Sequence, residues 1–222
     1  MAKIRLAIFD CDGTIYDGKL GPEGDLRGLQ RVYKELGIKT KLPTKKELMK
    51  RMGFPYPDFF KGLIPEEVFL KAYKKAYNYS VDEAAKLILA KKGKLMPGTM
   101  AALKKLKKKG LKLGIATNGR TKYLNAVVKA HKLDKIADMH LSFEQVKGDK
   151  GDIIFAIMKK LKAKPEETIM IGDRKSDLEA AKKAGCHAIA LTNGYGSRKE
   201  LKGATNIAAN MKEACEIIWK LG

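Results

Sequence analysis

Long apolar runs are missing. Nowhere in the 222 residues do eighteen apolar residues stand in succession, so no membrane-spanning helix is expected. The opening Met1-Ala2-Lys3-Ile4-Arg5 lacks the apolar stretch and small-residue cleavage site of a secretory signal, which predicts a cytoplasmic protein. Cysteine is scarce. Cys11, Cys186 and Cys215 lie far apart and form no Cys-x-x-Cys pair, which argues against a disulfide framework or a zinc site and fits a reducing compartment. Cys11 lies beside Asp10 and Asp12, which discourage its thiolate, so it reads as a packing residue. Aromatics are only 7% of the chain and do not interleave with its basic runs. Internal repeats and low-complexity segments are absent.

Positive charge is plentiful. The 46 basic residues against 25 acidic ones give a formal charge of +21. Such a balance fits a nucleic-acid binder, or a protein that steers phosphate-bearing metabolites toward itself. The lysines are spread over many helices, as in Lys104-Lys105, Lys107-Lys108-Lys109, Lys159-Lys160 and Lys182-Lys183. That pattern describes solvated helix faces, so nucleic acid is not the favoured partner. Hydrophobic residues make up 45% of the chain, enough for a sizeable core.

The chain is organised around Ile4 to Thr14. An apolar run from Ile4 to Phe9 leads into Asp10-Cys11-Asp12-Gly13-Thr14. The run reads as a buried strand, and Gly13 supplies the backbone freedom a turn needs. Two acids therefore sit at the carboxyl end of a central strand, where open α/β sheets bind ligands. From about Gly18 to Lys94 only helical periodicity is found, in four segments opened or closed by Gly37, the Thr44–Glu47 capping box, Pro65 and Ser80. From Met96 onward strands and helices alternate: strands at 111–116, 137–143, 168–171 and 187–191, with helices between them and a closing helix at 209–221. Alternation of this kind implies parallel strands joined by crossover helices. The fold class is α/β: a Rossmann-like, doubly wound parallel sheet, residues 1–17 and 94–222, with a four-helix, all-α segment, 18–93, inserted after the first strand.

Three further clusters fall at strand ends or helix starts. Thr117-Asn118-Gly119 offers a hydroxyl, an amide and free backbone N–H groups that can grip an anion. Lys150, at a helix start, can neutralise a phosphate as a point charge. Lys147 is its near competitor, and Lys150 is favoured. Gly172-Asp173-Arg174-Lys175-Ser176-Asp177 places two carboxylates one helical turn apart at the sheet edge that carries Asp10; a plain helix cap by Asp173 or Ser176 is the alternative. Four converging acids repel one another unless a cation joins them. Oxygen ligands with a phosphate nearby describe Mg²⁺, and the whole set describes metal-assisted phosphoryl transfer.

The ordered set Asp10-x-Asp12-Gly13-Thr14, Thr117-Asn118, Lys150 and Gly172-Asp173-x-x-x-Asp177 resembles the haloacid dehalogenase superfamily. The run from Gly172 to Gly185 resembles its phosphoglycolate phosphatase-like branch, which carries a helical cap after the first motif. The resemblance implies that Asp10 attacks phosphorus and that Asp12 protonates the leaving oxygen and later activates water. It implies that Thr117 and Lys150, with Asn118 and Gly119, bind the transferring group. Asp10, Asp173 and the backbone carbonyl of Asp12 would hold Mg²⁺, with Asp177 in support. Asp12 favours a phosphatase over a dehalogenase. Arg51-Met52-Gly53-Phe54-Pro55 resembles the segment such caps present toward the substrate; Arg51 either contacts a substrate anion or is a solvated surface arginine. The expected partner is a small phosphorylated metabolite such as phosphoglycolate or a sugar phosphate. A phosphomutase of sugar phosphates and a nucleic-acid binder on a phosphatase scaffold are the rival readings.

Overall fold

Strand β1 (Leu6–Phe9) is inaccessible to solvent along its whole length. A strand covered on both faces has to be apolar throughout, and burying a Leu, Ile or Phe stabilises by about 1.5–3 kcal/mol each. The structure, a computed structural model, describes residues 3–51, 57–91, 93–202 and 204–221. The other strands are β2 (Lys112–Thr117), β3 (Met139–Ser142), β4 (Thr168–Gly172), β5 (His187–Leu191) and β6 (Asn206–Ala208). They form one parallel sheet in the order β3-β2-β1-β4-β5-β6. Strand order reverses beside β1, which makes its carboxyl end the place where a parallel sheet opens a ligand crevice. Phe9 is in register with Ile115 of β2 and Ile171 of β4, so the chain beyond β1 leaves the sheet beside the last residues of both neighbours.

The described helices are α1 (Gly21–Leu36), α2 (Lys45–Lys50), α3 (Phe69–Lys91), α4 (Thr99–Lys108), α5 (Thr121–His131), α6 (Phe143–Val146), α7 (Lys150–Leu161), α8 (Lys175–Ala184) and α9 (Met211–Lys220). None is long and apolar enough to cross a membrane. The chain divides into two compact units: residues 1–18 with 94–222, and residues 19–93.

In the first unit, α7 lays Ile153, Ile154, Ile157 and Met158 onto Leu6, Ile8 and Met170, beside Ala180, Ala181 and Ala184 of α8. Small residues on α8 let these two helices pack closely over the sheet. The contact fixes the start of α7, which carries Lys150. The lysines of α4 point outward while Leu103 and Leu106 are buried, as an amphipathic helix requires. Lys105 rests its ammonium 3.7 Å from the centroid of the Trp219 ring.

The second unit differs from the four-segment expectation. The third and fourth segments are one helix, α3, entered through a 3-10 turn at Glu66–Val68. Ser80 does not start a helix, because Phe69 to Lys91 contains neither Gly nor Pro to break one. Ser80 instead packs against α1. A side chain at Gly28 would lie 2.6 Å from its Oγ, and one at Gly24 would lie 2.6 Å from the Ala84 backbone nitrogen. The expected Thr44–Glu47 capping box is present, with the Thr44 N–H donating to Glu47 Oε2 at 2.7 Å. In the first unit β6 and α6 were not anticipated. Three and four residues are too few to display a period. The closing helix begins at Met211 rather than Ala209, because Asn210 caps it by accepting the Glu213 N–H at 3.1 Å.

Asp25 lies buried on α1, 6% exposed, and burial pushes its carboxyl up to about 7, offset in part by the Ser80 hydroxyl beside it. An unfolded Asp titrates near 3.9. The folded state therefore binds the extra proton between roughly pH 4 and 7. The stability this confers is full below about pH 4 and is lost as pH rises through about 7. Between pH 5 and 8 the wild type should lose about 2–3 kcal/mol relative to Asp25→Asn, read from urea unfolding at each pH. Parallel pH profiles for the two proteins would refute this.

Candidate active site

Asp10 follows β1 directly, and its N–H donates to the Ile171 carbonyl at 2.9 Å, continuing the β1–β4 ladder by one residue. The chain then turns sharply. The Ile15 and Tyr16 N–H groups donate to the Cys11 carbonyl at 3.0 and 2.9 Å, and the Gly13 N–H donates to the Tyr16 carbonyl at 2.7 Å. Gly13 has φ +82°, in the region that favours glycine, and any side chain there would run into the Asp173 carboxylate.

Asp173 stands at the matching end of β4, fully buried. The Thr14 hydroxyl donates to its Oδ1 at 2.8 Å and the Tyr195 N–H to its Oδ2 at 2.6 Å. Asp177, in the first turn of α8, turns back under the sheet edge. Its Oδ2 accepts the N–H groups of Asp173 and Arg174, both at 3.0 Å. Arg174 occupies the N-cap, so neither Asp173 nor Ser176 serves as the simple cap.

Lys150 is the first residue of α7 and is buried. Its Nζ lies 2.6 Å from Asp10 Oδ1 and 2.5 Å from Asp177 Oδ1. The first turn of a helix favours acids over cations, so this placement runs against local preference and follows from the partners it reaches. A capping box of Asp149 and Asp152 holds the helix start, and Lys183 bridges both acids at 2.8 Å. Lys147, the competitor, is exposed and ends α6 in a left-handed conformation.

Three carboxylates thus face one ammonium. Burial pushes the Asp10 carboxyl well above its usual range; Lys150 opposes that, and Asp177 and Asp173 reinforce it. Burial also raises Asp173, against the Tyr195 N–H and Thr14 hydroxyl that favour its ionised form. For Lys150, burial disfavours the charge, but Asp10 and Asp177 outweigh it and the lysine stays protonated. Asp10, Asp173 and Asp177 each offer an oxygen, all within 4.8 Å of one another. An all-oxygen donor set with surplus negative charge fits a hard divalent cation such as Mg²⁺.

Asp12 is set apart from that trio. Tyr123 of α5 donates its hydroxyl to Asp12 Oδ1 at 2.5 Å. Burial raises the Asp12 carboxyl to about 6, with the Tyr123 hydrogen bond opposing. Burial and the Asp12 charge raise Tyr123 well above its ordinary value. Thr117, buried at the end of β2, accepts the Gly119 N–H on Oγ1 at 2.9 Å; Asn118 is exposed and Gly119 half-buried. Burial, then Asp12 and Asp10, push the Cys11 thiol up, in keeping with a packing role. Arg51, in the second unit, donates to the carbonyls of Phe59 at 3.2 Å and Lys61 at 2.6 Å. The rest of its segment, Met52 to Pro55, lies outside the described residues.

Sequence reasoning missed Tyr123, the hydroxyl contact of Thr14 and the loop after β5. A phenol in an amphipathic helix counts as one more apolar residue, so Tyr123 carried no signal. The loop did carry one. Gly194 and Gly196 flank Tyr195, and a side chain at either would strike Asp173. Paired glycines after a strand mark close backbone approach.

A family model described as haloacid dehalogenase-like hydrolase matches residues 7–191. A phosphoglycolate phosphatase of Shigella dysenteriae is 27% identical over 216 residues, covering 86% of this chain and 82% of that protein. One of Pseudomonas syringae is 24% identical over 206 residues, covering 86% and 70%. The solved structure of a haloacid dehalogenase-like hydrolase from Streptococcus pneumoniae superposes with a TM-score of 0.80 at 24% identity, covering 98% of this chain and 99% of that one.

Removing the ammonium should expose the repulsion it masks. Lys150→Met should lower unfolding free energy by about 3–5 kcal/mol at pH 7, the cost of leaving buried charges unpaired. The loss should shrink toward pH 4 as the carboxylates take up protons. A loss below about 1 kcal/mol at pH 7 in denaturant titration would show that the acids do not depend on Lys150.

Proposed function

The chain belongs to the haloacid dehalogenase-like hydrolase family, and from that premise we propose that it is a cytoplasmic, Mg²⁺-dependent phosphatase of small phosphorylated metabolites. It is a hydrolase acting on phosphate esters. The observation that carries the finer reading is Lys150 held between Asp10 and Asp177, beside Asp173, at the carboxyl ends of β1 and β4. The free cysteines fit a reducing compartment.

Asp10 is the proposed nucleophile. Its carboxylate attacks phosphorus, the bond from phosphorus to the leaving oxygen breaks, and an aspartyl-phosphate forms. Asp12 gives its proton to the leaving oxygen, so an alcohol departs. Asp12, now a carboxylate, takes a proton from water; that water attacks phosphorus and frees inorganic phosphate and Asp10. Lys150 and the Thr117 hydroxyl hold phosphoryl oxygens, with the backbone after Thr117 available as further donors. Asp10, Asp173 and the backbone carbonyl of Asp12 would hold Mg²⁺, with Asp177 in support. The ion, when bound, supplies positive charge to the transferring group. The names of the relatives support phosphoglycolate as the first substrate to try, with sugar phosphates next. Residues 19–93 are proposed as the cap that selects among them.

Purified protein should release inorganic phosphate from phosphoglycolate or another small phosphomonoester with Mg²⁺, and lose that activity in EDTA. Asp10→Asn should lower kcat by at least about a thousandfold, since it removes the nucleophile. Full activity in EDTA would sink the metal assignment. Retained activity in Asp10→Asn would sink the nucleophile. An isomeric sugar phosphate formed without free phosphate would establish a mutase instead.

A further inference from the structure

Tyr123 has no part in the chemistry just described, yet its hydroxyl is aimed at one of the groups that does. It enters from α5, behind β2, while Asp12 lies in the turn after β1. The ring is buried and packs edge-on against Tyr16, with centroids 6.4 Å apart and planes at 74°. Tyr16 belongs to the same turn as Asp12 and is fully buried. Gly119 also lies near it: a side chain there would come within 3.6 Å of the Tyr123 ring. The ring is therefore fixed, and a phenylalanine would satisfy every one of these packing contacts. What phenylalanine lacks is the O–H, which ends 2.5 Å from Asp12 Oδ1. A buried phenol finds a partner, and here the partner is the proposed acid.

Resting on the phosphatase reading, we propose that Tyr123 is a positioning residue for the acid step: its O–H occupies Asp12 Oδ1 as donor, so the transferable proton is carried on Asp12 Oδ2. A carboxyl group holds one proton, and its unprotonated oxygen is the stronger acceptor, so a hydrogen bond donated to Oδ1 favours the form with the proton on Oδ2. Donation to Oδ1 thus selects which oxygen faces the ester, and the fixed ring sets the direction in which it faces. In the first step the proton passes from Oδ2 to the leaving oxygen as the phosphorus–oxygen bond breaks and Asp10 becomes phosphorylated. Tyr123 keeps its own proton throughout and hands nothing to the substrate.

The demand for that proton depends on the leaving group. An alkoxide needs it, whereas a dinitrophenolate departs without it. The quantity kcat/KM covers the steps up to departure of the leaving group, so it leaves out the later hydrolysis in which Asp12 acts as base. The test compares kcat/KM for an alkyl phosphate and for dinitrophenyl phosphate in wild type, Tyr123→Phe, Asp12→Asn and the double variant. Tyr123→Phe should lose about tenfold on the alkyl ester and less than about twofold on the aryl ester. The double variant should lose no more than Asp12→Asn alone, since the two residues act as a unit. Both esters are measured on one preparation, so the ratio is independent of how much of a variant is folded. Equal losses on the two esters, or none on either, in an active enzyme would overturn the inference alone. A wild type that releases phosphate from neither ester would overturn the phosphatase reading and this inference with it.

Discussion

The ammonium of Lys150 is the interaction on which the site depends. Asp10, Asp173 and Asp177 each bring an oxygen within 4.8 Å of the others at the end of a buried sheet, and among the described residues the Lys150 ammonium is paired with two of them. Ionised carboxylates that close destabilise one another unless positive charge is supplied. One lysine balances part of that charge and leaves the rest. The residue that holds the acids together thus also leaves the site short of positive charge, and a divalent cation fits that deficit. Much of the first unit serves to keep this lysine in place. The apolar face of α7 packs on β1 and α8, and the Asp149–Asp152 cap with Lys183 ties down its first turn.

Backbone contact is the second constraint. The acids are held by N–H groups as much as by side chains, and that requires the chain to come very close. Side chains at Gly13, Gly194 or Gly196 would strike Asp173, and one at Gly172 would strike Asp177. Four glycines, from two loops and the end of β4, therefore form walls around two carboxylates. Each N–H donated to a carboxylate favours its ionised form, partly offsetting burial, as the Tyr195 N–H does for Asp173.

The sequence displayed the parts whose physics is local. The apolar run ending in Asp10 declared a buried strand, and the fourfold spacing of Asp173 and Asp177 declared a shared face at a helix start. The Thr44–Glu47 box is legible because both partners lie within one turn. What was hidden depends on tertiary contact. Ser80 looks like a helix start, yet it lies in the middle of α3, where its close approach to Gly28 of α1 is a contact its own segment does not display. The three residues of β6 pair only because β5 lies beside them. Tyr123 reaches Asp12 across more than a hundred residues of chain, and nothing in its own helix marks it as anything but apolar.

Around β1 the two acids of the opening motif go separate ways. Asp10 is tied to β4 through the Ile171 carbonyl, to α7 through Lys150 and, by proximity, to Asp173 and Asp177. Asp12 lies two residues on and is tied instead to α5, the helix that follows β2. One flank of β1 thus gathers negative charge around an ammonium. The other shelters a single carboxyl beside a phenol. Burial raises both carboxyls; the charge of Lys150 is the first influence that opposes it at Asp10, and the Tyr123 hydrogen bond the first at Asp12. Parallel neighbours on both sides of β1 make this possible, because each neighbour brings its own helix to the same sheet edge. An edge strand would have only one such neighbour, so the central position of β1 lets its two acids meet different partners.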